Sequence, residues 1–103
     1  MNQIKEVTPQ EVENKLEENE EFTIIDVRED EEVAEGMIPG ARHIKLGDIP
    51  QSVDQLPKDE SYVMVCRSGR RSMNASEFMK EKGFTDVSNM EGGMLKWNGE
   101  LVF

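Results

Sequence analysis

The chain has 103 residues, a formal net charge of -10, and a single cysteine and a single histidine. That length supports one hydrophobic core, so a single domain over 1–103 is expected; one cysteine allows no internal disulfide, and one Cys with one His cannot close a zinc site, so no metal or other cofactor is expected. Residues 1–35 hold 13 of the 22 carboxylates but only three of the 12 Lys and Arg, leaving the remainder neutral, which argues against a nucleic-acid partner. The opening Met1-Asn2-Gln3-Ile4-Lys5-Glu6 lacks the basic start and apolar stretch of a signal peptide, and no segment has the length of a membrane span. A reducing cytoplasm, no membrane partner and a monomeric state are therefore expected.

In chain order, Ile4 to Val7 reads as a strand and Pro9 to about Glu18 as a helix. The helix start has Thr8 with Glu11 three residues on, Pro9 at the first helical position, and Val12 and Leu16 on one face. Phe22 to Val27 is a strand. The acidic runs Glu17-Glu18-Asn19-Glu20-Glu21 and Glu29-Asp30-Glu31-Glu32 read as solvated helix ends and loops, the second with a short helical possibility up to Glu35. Pro39-Gly40 bends the chain into a strand over Ala41 to Lys45. Gly47 to Leu56 predicts a short helix weakened by Pro50, and Pro57-Lys58-Asp59 turns into the strand Ser61 to Val65. The apolar middle of that strand fits an inner position in a parallel sheet covered on both faces. A helix follows from about Arg71 to Lys82, with Ala75, Phe78 and Met79 inward and Gly83 at its end; then come a strand over Asp86 to Met90 and a closing turn and helix, Glu91 to Trp97. The alternation predicts an α/β fold, with the end of the Ser61–Val65 strand at the edge where such sheets bind ligands.

That end is where Cys66 stands, opening Cys66-Arg67-Ser68-Gly69-Arg70-Arg71-Ser72 before the helix. A thiolate reacts where a thiol scarcely does, and backbone N–H groups at a helix start, with three nearby guanidiniums, favour the ionised form and an anionic substrate. Three of the five arginines lie in this loop. An inert buried thiol is the commonest fate of a free Cys, but it would not need flanking Arg, Ser, Gly and Arg. Gly69 supplies the backbone freedom a tight curl requires.

Four separated blocks now resemble the rhodanese-like sulfurtransferases, in their small single-domain branch: Asp26-Val27-Arg28-Glu29 with Glu32; Gly36-Met37-Ile38-Pro39-Gly40-Ala41 with His43-Ile44; the Cys66 loop with Arg71-Ser72; and Gly92-Gly93 with Trp97. The resemblance implies a central parallel sheet of about five strands flanked by helices. It also implies that Cys66 takes a sulfane sulfur from thiosulfate or a persulfide and passes it to cyanide or a thiol, with Arg67, Ser68, Gly69, Arg70 and Arg71 forming the loop whose amides surround the sulfur and bind the substrate. Cysteine-dependent phosphatases of similar fold place five residues between Cys and Arg; here four do so, and the smaller ring suits a sulfur atom better than a phosphate. The partners implied are a small anionic sulfur donor and a thiol, cyanide or protein acceptor.

Arg71, last before the helix, is expected to orient an oxyanion or brace the loop; Arg67 and Arg70 steer anions or face water. His43 is expected to be structural or peripheral, because its block is not used for catalysis in the family. Asp26 and Arg28 are expected to tie neighbouring loops by an ion pair. Met37 departs from the histidine common in the family. The remaining methionines and Trp97 read as core. The alternative to an enzyme is a sulfur-carrying or redox-sensing module, its acidic first third docking a partner, with little turnover of small donors. An anion-binding module without catalysis is disfavoured by the presence of the cysteine.

Overall fold

The computed structural model describes residues 3–103. Five strands, β1 (Lys5–Val7), β2 (Thr23–Asp26), β3 (Arg42–His43), β4 (Ser61–Val65) and β5 (Asp86–Met90), form one sheet in the order β1-β5-β4-β2-β3. All four pairings are parallel. The helices are α1 (Pro9–Glu17), α2 (Asp30–Val33), α3 (Ile49–Ser52) and α4 (Arg70–Glu81), with 3-10 turns at Leu46–Asp48, Val53–Gln55 and Gly93–Lys96.

β4 is the inner strand its apolar run requires, held between β2 and β5. Its side chains alternate between two cores. Tyr62, Met64 and Cys66 join Ile25, Val27, Ile49, Ala75 and Met79 on the face covered by α3 and α4. Val63 and Val65 join Val7, Val12, Ile24 and Met90 on the face covered by α1, with Met94 and Trp97 packed against them. Met64, Met79 and Met90 are fully buried, as expected of core fillers.

Local chemistry sets the helix boundaries. Glu11 N–H donates to Thr8 Oγ1 (3.1 Å) and Thr8 N–H to Glu11 Oε1 (2.8 Å), a reciprocal cap that starts α1 where the sequence places it. α4 ends with Gly83 at a φ of +100°; Gly83 N–H donates to Lys80 O and Phe84 N–H to Met79 O, and Phe84 is buried. Two expectations are corrected. The single short helix expected over Gly47 to Leu56 is divided into a 3-10 turn, the four-residue α3 and a second 3-10 turn, with Pro50 in the first turn of α3, where no intrahelical donor is lost. The strand expected over Ala41 to Lys45 shrinks to Arg42–His43, an edge strand whose ladder to β2 ends where β2 itself ends.

Candidate active site

Cys66 follows the last residue of β4, and its loop is held from three directions. The closing segment is seated directly on it: Met94 N–H donates to Cys66 O (2.8 Å) and Leu95 N–H to Arg67 O (3.0 Å). Gly93, at a φ of +60°, comes so close that a Cβ would stand 2.5 Å from the Cys66 and Arg67 carbonyl oxygens, so only glycine fits. From β5, Asn89 Nδ2 donates to Gly69 O (3.1 Å). From α4, Met73 N–H donates to Gly69 O (3.2 Å).

The curl turns its amides inward. Gly69 adopts a φ of +101° immediately before α4, and its N–H donates to Cys66 Sγ at 3.0 Å. Ser72, in the first turn of α4, brings its hydroxyl 3.3 Å from the same sulfur. Cys66 is 0% exposed beneath Arg67, Ser68 and Arg70, which face solvent. Burial pushes the thiol pKa up; the Ser72 hydroxyl and the amides of Ser72, Gly69 and Ser68 together outweigh it, and the thiol lies below its ordinary value. Polar groups of the loop and helix start therefore shift the thiol toward thiolate.

The three loop arginines diverge. Arg71 is committed to α2: its Nη1 and Nη2 donate to the two Glu32 carboxylate oxygens, both at 2.8 Å, and the pair is partly buried. Arg71 holds the Glu32 carboxyl down to about 2. This corrects the reading of Glu29 to Glu32 as merely solvated, since Glu32 is the counter-ion of Arg71 in the first turn of α4; Asp30 pairs with Lys45. The two Arg71–Glu32 bonds anchor that turn to α2. Arg67 and Arg70 have no ion-pair partner among the described residues.

Arg28 and Asp26 form the expected ion pair, with Nη2 2.8 Å from Oδ2 and residues 6% and 1% exposed. Arg28 also donates to Glu32 O and Gly36 O, which ties β2 to both ends of the stretch that carries Glu32. His43 Nε2 donates to Arg28 O (2.7 Å). Trp97 packs against the α1-side core, its indole N–H donating to Glu100 O, and it lines a groove of about 260 Å³ beside the loop with Arg28, Glu32, Arg67, Met94 and Leu101. No described helix is long and apolar enough to cross a membrane.

Three residues on which the site depends were not read from the sequence in these roles. Ser72 had a signal: side chains in a helix lean toward its amino end, so the first-turn hydroxyl points back at the loop. Asn89 had only its polarity within a buried strand. Glu32 stood in the family block with Asp26 to Glu29, but nothing local pointed to its partner, 39 residues away.

A rhodanese-like domain model matches residues 8–100. YtwF of Bacillus subtilis (strain 168), whose name places it among sulfurtransferases, is 55% identical over 98 residues, covering 95% of this chain and 94% of that protein. YrkF of the same organism, named for sulfur carriage, is 37% identical over 97 residues, covering 94% of this chain and 52% of YrkF. A crystal structure of a rhodanese-like domain protein from Staphylococcus aureus superposes with a TM-score of 0.89 at 41% identity, covering 96% of this chain and 97% of that one.

Proposed function

This chain belongs to the rhodanese-like family, and from that premise we propose that it moves a sulfane sulfur from thiosulfate or a persulfide donor, through a persulfide on Cys66, to cyanide or a thiol acceptor. The names of its relatives support a rhodanese-type sulfurtransferase. The observation that carries the reading is the setting of Cys66 Sγ, with the Gly69 N–H at 3.0 Å and the Ser72 hydroxyl beside it at the head of α4.

In the first step the Cys66 thiolate attacks the outer sulfur of thiosulfate. A Cys66 S–S bond forms, the donor S–S bond breaks, and sulfite leaves with the bonding pair. The terminal sulfur of the persulfide keeps the negative charge that the inward amides stabilise. In the second step cyanide or a thiolate attacks that terminal sulfur, giving thiocyanate or a new persulfide and returning the Cys66 thiolate. Arg67 and Arg70 attract the anionic donor, Ser68 and Gly69 supply amides, and Arg71 keeps the loop in shape through Glu32. The chain acts as a monomer in a reducing cytoplasm, a setting that suits its free thiol.

Intact mass after thiosulfate or polysulfide treatment is the test. The expected result is a gain of one sulfur atom, removed by cyanide, and absent in a folded Cys66→Ser variant. A serine variant that takes and transfers sulfur would sink the mechanism. The likeness to YrkF favours a second reading, a sulfur carrier with little turnover of its own. Saturable multiple turnover with thiosulfate and cyanide distinguishes the enzyme from the carrier.

A further inference from the structure

Asn89 is 1% exposed, and its hydrogen bonds leave no freedom in its orientation. Nδ2 donates to Gly69 O (3.1 Å) and to Glu6 Oε2 (3.2 Å) on β1. Both are acceptors, so the amide cannot be flipped without setting Oδ1 against them. Oδ1 therefore faces Ser72, whose hydroxyl donates to it in a short hydrogen bond. The same hydroxyl lies 3.3 Å from Cys66 Sγ. Ser72 has one proton and two acceptors.

We propose that Asn89 is a positioning residue that sets the direction of the Ser72 hydroxyl and so competes with Cys66 for its proton. When Cys66 is a thiol, its S–H donates to Ser72 Oγ and Ser72 donates to Asn89, and each group is satisfied. When the Cys66 proton leaves to solvent, the thiolate can only accept. Ser72 must then turn to the sulfur and leave a buried amide oxygen without a donor, or stay with Asn89 and deny the sulfur its hydroxyl. Either outcome costs the ionised form. Asn89 thus holds back the ionisation that the loop amides promote, while its Nδ2 braces the residue whose N–H meets the sulfur. Charged groups toward the Cys66 end of the surrounding elements include Arg67 of the loop, Arg70 and Arg71 at the head of α4, Glu32 of α2, Asp26 at the end of β2 with Arg28 after it, Glu6 of β1, and Glu91 and Lys96 of the closing segment. Their charges are unchanged by the substitutions that follow.

The inference rests on the reading of Cys66 as the reactive thiol, and a double-mutant cycle on thiol ionisation tests it apart from sulfur transfer. Thiolate absorbance is followed against pH in the parent, Asn89→Leu, Ser72→Ala and the double variant, with Cys66→Ser as blank. Loss of the brace on Gly69 is common to both arms and cancels. The Asn89→Leu substitution should move the Cys66 pKa lower with Ser72 present than with alanine there, by about one pKa unit for a single hydrogen bond. Equal shifts in the two backgrounds, or a lower one with alanine, overturn the proposal. Asn89→Ala supplies the same cycle if leucine does not fit the site. A chain that shows the coupling but takes up no sulfur keeps this role for Asn89 and loses the transfer mechanism; one that takes up sulfur without the coupling does the reverse.

Discussion

Cys66 combines two properties that usually oppose each other, complete burial and a thiol pKa below its ordinary value. Burial alone would raise its pKa, and the hydroxyl and amides that reverse the shift must be correctly placed to do so. A depressed pKa means that the folded state favours thiolate. This site therefore stabilises the fold above the unfolded-state pKa and loses that contribution as pH falls through the folded value. Transfer activity should fall over the same range, and a thiolate titration should place the midpoint below that of a free cysteine; a midpoint at or above it would restore the inert thiol. Arg71→Ala should reduce transfer on the order of 10- to 100-fold, because a small displacement of the loop misplaces the nucleophile. Arg67→Ala, which breaks no ion pair, should cost less. Steady-state rates of the two variants compare them directly, and equal small losses would remove Arg71 from the site.

α2 and the closing segment, short as they are, fix the loop by contacts at opposite sides. Glu32 carries the first contact. Its carboxyl is held down to about 2 by Arg71, so the pair contributes stability above the unfolded carboxylate range and loses it as pH falls through about 2. Glu32→Gln should cost about 1 kcal/mol at neutral pH, a modest figure because the pair is partly solvated, and urea unfolding should show the difference from the parent shrinking in acid. Gly93 carries the second contact. Gly93→Ala must place a methyl group against two backbone carbonyls at a positive φ, so the loop or the turn has to move. Both melting temperature and transfer should fall, whereas Gly40→Ala, with a positive φ but open space around it, should lower stability alone.

Across the whole molecule, a net charge of -10 coexists with a buried Arg28–Asp26 pair at the carboxyl edge of the sheet. Asp26→Asn leaves the guanidinium buried without its counter-ion and should destabilise the protein by about 3–5 kcal/mol. Chemical denaturation measures it, and a loss below 1 kcal/mol would mean that the carbonyls of Glu32 and Gly36 hold Arg28 without the carboxylate. The pair links β2, α2 and the turn at Gly36, so its loss should also loosen the Glu32 contact and slow transfer.

Element order and the sheet's parallel character were legible in the chain, because these follow from local signals: the Thr8–Glu11 cap, the apolar run from Tyr62 to Val65, and the glycine after α4. The sequence also singled out Cys66 as the candidate nucleophile, since a cysteine between a buried strand and a helix start has a recognisable local setting. Tertiary structure alone decided how the sulfur is held. Glu32 on Arg71, Asn89 on Ser72 and Gly93 on the Cys66 carbonyl join residues far apart in the chain. A hydrogen bond depends on distance and direction in space, and no period or cap in the sequence encodes which remote acceptor a given donor will meet.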